Sequence, residues 1–509
     1  MSCISTTEHS MNRRHFLSRS AQAAAIAALS STPFAAVLKA QANPAFAPFS
    51  RPLYIPPILE PIAGNGGAPI RTLTAVTGAH SFFPGLQTPT MAFNGPFLGP
   101  TIRVRNGEEV AFDVHNELDQ VTTVHWHGLH VPARWDGGPH QPIQPGDIWR
   151  PRFTIKQQAA TLWYHPHAMG LTGEHVYNGM AGLFIIDDDT ADALPLPQEY
   201  GVDDIPLIIQ DRRFYEDGSF AYVRAMHDVM HGVIGNNLII NGMIKPYIEL
   251  TRPLVRFRIL NGSNSSIYRL RLSSGNRMQV IASDGGLLAA PVPLTELIMT
   301  AGERYEILVD CTAQPKDTSL HLLVDQYSGN SYEALEIRYT GNINKRPAMP
   351  GKLRPHTPPA ESSADNTRTI VMETMSRGNG GGMERGMMGG NRLTINGRHM
   401  DMARIDERIK LGSTEIWEIV NDSASRMQLP HSMHLHDVQF HILDRNGEPP
   451  EPFEAGRKDT VLLWPGERVR IIASFLDYTG IYMFHCHMLE HEDAGMMGQF
   501  EVYRDSDTI

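Results

Sequence analysis

Along much of the chain, apolar and polar residues alternate with a period of two. Thr101-Ile102-Arg103-Val104-Arg105 alternates, Asn106-Gly107 is a tight hairpin signal, and Val110-Ala111-Phe112-Asp113-Val114 takes the pattern up again. Short strands between Gly and Pro turns predict an all-β architecture of Greek-key sandwiches or barrels. Helical periodicity is scarce.

The pattern recurs as three units. Met91-Ala92-Phe93-Asn94-Gly95, Leu238-Ile239-Ile240-Asn241-Gly242 and Leu393-Thr394-Ile395-Asn396-Gly397 resemble one another. A second marker follows each in the same order: Pro145-Gly146-Asp147, Ala301-Gly302-Glu303 and Pro465-Gly466-Glu467. Each precedes an alternating strand, such as Arg304 to Val309. Two markers repeating together imply duplication of a domain-sized unit. The expected division is a leader at 1–42, domains at 43–195, 196–345 and 367–509, and a linker at 346–366, within the stretch 341–366 rich in Pro, Asn and Ser. Residues 376–390 hold seven glycines with Met383, Met387 and Met388, which reads as a mobile surface loop.

Composition and charge narrow the class. A chain of 509 residues with 41% hydrophobic content buries full cores. Net charge is −11; residues 1–42 carry four basic and one acidic side chain, or +3, so the remainder carries −14. An acidic body argues against nucleic acid and anionic membranes as partners. Arg13-Arg14 in Asn12–Leu17, the apolar run Ala21–Leu29 and Ala40-Gln41-Ala42 follow the order of a twin-arginine export signal with a small-X-small cleavage site. The apolar run is too short to span a bilayer, and no membrane insertion is expected. Of three cysteines, Cys3 leaves with the leader and Cys311 reads as a buried core thiol, leaving no pair for a disulfide.

Cys486 is the third. It lies in His485-Cys486-His487-Met488-Leu489-Glu490-His491, with Met496 shortly after. Thiolate, imidazoles and a distant thioether form the ligand set of a blue-copper site. His125-Trp126-His127, His165-Pro166-His167 and His434-Leu435-His436 join His485 and His487 as four His-X-His pairs. On a strand, residues i and i+2 share a face, so each pair offers two imidazoles to one cleft while Cys486 points the opposite way. Two pairs fall in the first unit and two in the third. Eight imidazoles could hold a metal cluster between those units, with the middle unit a spacer. His431, His491 and Met496 can complete an inner site with Cys486.

On these motifs the chain resembles the three-domain multicopper oxidases, near the bacterial copper-efflux oxidases and laccases, over essentially its whole mature length. The resemblance implies three cupredoxin-like domains and four coppers. Carried over by motif, type 1 copper takes His431, Cys486 and His491 with Met496 axial. Type 2 takes His125 and His434. The type 3 pair takes His127, His165 and His487 on one copper and His167, His436 and His485 on the other. Asp136, eleven residues after His125, and Glu492 match acidic positions that support proton delivery in the family. The implied activity is one-electron oxidation of phenols, aromatic amines or low-valent metal ions such as cuprous ion, coupled to reduction of dioxygen to water. A monomeric periplasmic enzyme is expected.

Two rivals stand beside this reading. Some exported relatives have lost their ligands, which leaves a non-enzymatic copper-binding or structural role; the complete set of ten histidines, Cys486 and Met496 argues against it. A copper nitrite reductase would need neither three domains nor the His-X-His set. The chain also departs from copper-efflux oxidases. Seven of its 24 methionines fall between Met372 and Met402, but the insert is short and glycine-rich, and Met427 and Leu429 stand where an acid and a methionine precede the type 1 histidine. Met226, His227, Met230 and His231 form a smaller Met/His cluster, read as loop packing.

Overall fold

The computed structural model describes residues 47–63, 68–313, 319–342, 344, 346–375 and 393–505. The leader at 1–42 and the loop at 376–390 lie outside them. Among the described residues, no helix is long and apolar enough to cross a membrane.

Six sheets form three pairs. In each unit an early strand pairs in parallel with a later one. Ile70–His80 runs beside Glu109–Asn116, Asp204–Arg212 beside Leu254–Asn261, and Asn366–Thr374 beside Thr414–Asn421. The second sheet of each unit repeats the device: Ile102–Arg105 with Gly182–Asp187, Tyr247–Leu250 with Ser331–Tyr339, and Glu407–Lys410 with Met497–Tyr503. A parallel pair cannot close through a hairpin, so the chain crosses between sheets. The result is a cupredoxin-like sandwich made three times.

The markers earn their recurrence through hydrogen bonds. Asn94, Asn241 and Asn396 all adopt positive φ, a region Asn tolerates. Each Oδ1 accepts a backbone N–H from the unit's first strand (Thr74, Ile208, Val371), and each Nδ2 donates back to it (Thr72, Pro206, Thr369). At the second marker, Gly146, Gly302 and Gly466 have φ of 83°, 87° and 73°, and their N–H groups donate to Asn116, Asn261 and Asn421. That asparagine, at the end of a strand in every unit, is a third marker.

Each unit has its own apolar core, centred on Trp126 in the first, Tyr268 and Tyr305 in the middle and Trp417 in the third. A fourth cluster of Phe82, Phe97, Trp163, Ile208, Phe214 and Ile239 joins the first unit to the middle one. Phe82 packs edge-on to Phe97 at 5.0 Å and tilted to Phe214 at 5.2 Å. Such pairs add about 0.5–1.5 kcal/mol each beyond area burial. Cys311 follows the strand Arg304–Asp310 and is buried, and burial pushes its thiol up to about 12.

Candidate metal centre

The His-X-His pairs sit at strand ends. His125–His127 pairs with Ala160–His165, bringing His125 opposite His165. His431–Leu435 pairs with Gly480–Cys486, bringing His434 opposite His485 and Met433 opposite Cys486. The two units then meet face to face. His125 stacks on His436 with ring centres 3.8 Å apart, and His127 stacks on His434 at 3.7 Å. All eight imidazoles are buried.

Their outer partners fix which nitrogen faces inward. His125 Nδ1 donates to the Asp136 carbonyl at 2.9 Å, His434 Nδ1 to the Asp459 carbonyl at 2.8 Å and His165 Nδ1 to the Pro166 carbonyl at 2.8 Å. A carbonyl only accepts, so in each ring the proton is on Nδ1 and Nε2 is a bare lone pair. Nε2 of His125 and of His434 has no partner, and neither nitrogen of His487 has one. His436 Nδ1 meets Asp136 Oδ2 at 2.8 Å, and His485 Nδ1 meets Glu492 at 3.1 Å. This leaves Nε2 of His485 at 3.2 Å from Nε2 of both His436 and His167. His127 is turned the other way: its Nε2 meets Asp459 Oδ1 at 3.1 Å and its Nδ1 faces Nε2 of His165 at 3.4 Å.

Burial, reinforced by neighbouring imidazoles, depresses His125, His127, His434, His436 and His487 well below the usual histidine range. Neutral rings therefore aim lone pairs at one another in a dry space. Such an arrangement is unfavourable unless a cation sits among the lone pairs. The donor set fits metal ions.

A second donor set lies beneath. Cys486 Sγ is 3.6 Å from Nδ1 of His431 and 3.6 Å from Nδ1 of His491. The outer nitrogens are held: Thr374 Oγ1 lies 3.0 Å from His431 Nε2, and the Met230 carbonyl accepts from His491 Nε2 at 3.0 Å. Met496 is buried in the same core, and its carbonyl accepts the Cys486 N–H at 3.0 Å. Burial pushes the Cys486 thiol up to about 12. Only a cation in contact would make it a thiolate near neutral pH. The soft sulfur with two imidazoles suits copper.

Asp136 and Glu492 are both buried against the cluster. Asp136 holds His436; Glu492 lies 3.1 Å from His485 and 3.4 Å from His167. Burial and the charge of Asp437 push Asp136 well above the usual carboxylate range.

The middle unit is no spacer. Arg304, fully buried, donates through Nη1 and Nη2 to the two oxygens of Asp459 at 2.7 and 2.5 Å. Asp459 in turn holds His127. At the marker turn, a Cβ on Gly302 would stand 2.9 Å from the His487 ring. Glu490 of the third unit accepts from Asn264, Ser265 and the Val233 N–H of the middle one. Sequence reasoning passed over Arg304 and Asp459. Their signal was a charge at the start of an apolar strand, Arg304 after the Gly302 marker and Lys458-Asp459 before Val461-Leu462-Leu463.

Comparison with known proteins agrees with this geometry. The multicopper oxidase family profile matches residues 75–191 and 365–506. A multicopper oxidase of Staphylococcus aureus is 36% identical over 88% of this chain and 91% of its own. The cell division protein FtsP of Pectobacterium atrosepticum is 35% identical over 97% and 99%. The solved laccase-like multicopper oxidase CueO of Ochrobactrum sp., described as active towards lignin model compounds, is 37% identical with a TM-score of 0.79, over 89% and 100%. The chain belongs to the multicopper oxidase family.

Proposed function

We propose that the chain is an exported, monomeric multicopper oxidase taking electrons singly from phenols, aromatic amines or low-valent metal ions. His431, Cys486, His491 and Met496 would hold type 1 copper, and His125 and His434 type 2. His127, His165 and His487 would hold one type 3 copper, and His167, His436 and His485 the other, four in all. Bound copper would supply a one-electron acceptor at Cys486 and four-electron reduction of dioxygen to two waters among the imidazoles.

The chain's own residues divide the remaining work. Cys486 is joined through one peptide unit to His485 and to His487, so a covalent path links the two donor sets. Asp136 Oδ2 and the Cys486 carbonyl keep His436 and His485 in the tautomer that turns Nε2 inward, with Glu492 3.1 Å from the same His485 Nδ1. The same carboxylates would hand protons to the site where water forms. The twin-arginine segment would direct export to the periplasm.

The observation that carries this reading is the meeting of three Nε2 atoms, from His167, His436 and His485, across the boundary between units. Protein purified with copper should consume dioxygen with a substituted phenol and show four coppers per chain by elemental analysis. The similarity to FtsP supports a second reading, a structural role in cell division. It predicts no copper uptake and no oxygen consumption with any reductant.

A further inference from the structure

The buried charges behind the imidazole cluster do not balance. Lys458 is fully buried where the middle and third units meet. Its ammonium is 2.9 Å from Asp284 Oδ2 and 2.9 Å from Glu303 Oε1, and it donates to the Tyr305 hydroxyl at 3.2 Å. All three of its protons are thus committed. Arg304 is engaged by Asp459. Three carboxylates, Asp284, Glu303 and Asp459, therefore share two cations. The next charges outward bring no relief, because Arg445 is held by Glu454 and Glu467.

An unbalanced anion out of water is costly, and the lower-energy course is for one carboxylate to hold a proton. The donors single out which one. Asp284 accepts the backbone N–H groups of Arg304, Asp459 and Thr460 besides Lys458. Asp459 has the Arg304 fork and the Thr460 hydroxyl. Glu303 has, besides Lys458, the Thr300 N–H at 2.7 Å and the Tyr305 hydroxyl at 3.4 Å. Burial, with the charges of Asp284 and Glu454, outweighs Lys458 and raises Glu303 above the usual carboxylate range.

This group of charges reaches the cluster at two points, although Glu303 itself meets no imidazole. Asp459, whose N–H Asp284 accepts, holds His127 at 3.1 Å. Gly302, the residue before Glu303, packs against the His487 ring. We propose that Glu303 is a proton store for the cluster, gaining a proton from solvent as electrons enter the loaded imidazole site and releasing it as dioxygen is reduced. The proposal rests on the oxidase reading above. Electrons entering the site cancel positive charge beside Asp459 and His487, which favours an added proton nearby. One carboxyl O–H bond forms on reduction and breaks on reoxidation. The four electrons and four protons that turn one dioxygen into two waters keep their number. Glu303 touches no reactant and acts through Lys458 and Asp459, as a positioning residue.

Two measurements test it. On the copper-free chain, Tm is followed against pH. An unfolded glutamate titrates at about 4.3. A raised folded value means the charged form costs stability, so wild type should lose Tm relative to Glu303→Gln as pH rises from about 5 to about 9. The change in the gap is read, so a constant penalty from a lost hydrogen bond does not count. On the copper-loaded chain, the infrared difference between reduced and oxidised states should show a protonated-carboxyl C=O stretch gained on reduction. Glu303→Gln should lack that band, and Glu303→Asp should restore it at a shifted frequency. A gap that does not change with pH, or a reduction band that survives Glu303→Gln, would overturn the proposal. A chain that takes up no copper yet shows the pH-dependent gap would overturn the oxidase reading and the redox coupling while upholding the buried proton site.

Discussion

Arg304 of the middle unit forks onto both oxygens of Asp459 of the third, at 2.7 and 2.5 Å, and both side chains are fully buried. Asp459 passes that constraint to His127 Nε2 at 3.1 Å. A charge from the unit without His-X-His pairs thus sets the tautomer of an imidazole in the first.

Arg304→Met should therefore be costly twice over. It leaves Asp459 buried without its cation, a loss of about 3–5 kcal/mol for a broken buried pair, while Asp284 keeps Lys458 at 2.9 Å. It also unfixes Asp459, which with Thr460 Oγ1 holds His127 Nε2, and a weakened outer partner lowers metal affinity by up to about 10–100-fold. Thermal unfolding and copper retention against a chelator report the two effects. Normal values for both would reject the coupling.

Cys486→Ser should abolish the intense blue thiolate-to-copper absorption and all oxidation of reductants, while the imidazole cluster still takes up copper. An intact blue band in this variant would show the assignment to be wrong.

As the axial ligand proposed above, Met496 would lend a weak sulfur donor, which Met496→Leu removes. The site should stay blue and its reduction potential should rise. An unchanged potential in a redox titration would point to Met497 or to no axial ligand.

Glu492→Gln and Asp136→Asn keep the shape of each side chain but remove the carboxylate. Both variants should keep four coppers and a reducible blue site yet reoxidise in dioxygen more slowly, by about 10²-fold or more if they are the proton donors. Stopped-flow reoxidation at the wild-type rate in both would reject the role.

His130, which is not itself a ligand, gives a pH-dependent test. Burial alone would lower it, but Asp437 at 2.8 Å and Asp477 at 2.5 Å outweigh burial and raise it to about 9. Its unfolded value is about 6.5. A raised value means the charged form stabilises the fold, fully below pH about 6.5, with the gain lost as pH climbs through about 9. His130→Gln should thus lower Tm markedly at pH 6 and little at pH 10. An equal loss at both pH values would contradict the assignment.

Much of this molecule was legible in one dimension. Period-two alternation and the Asn-Gly markers specify strands and turns through local backbone sterics, so the all-β units and their repetition follow from neighbours in the chain. The i, i+2 spacing of His125 and His127, or of His485 and His487, likewise sets both rings on one side of a strand. Which ring meets which did not follow. The stacking of His125 on His436, the fork of Arg304 on Asp459 and the seat of His491 beneath Met230 join residues 155 to 311 positions apart. Nothing local distinguishes Arg304 or Asp459 from any charge at a strand end. Their role exists only because packing of three units removes them from water together, where a buried charge must find a partner and an imidazole must commit its proton.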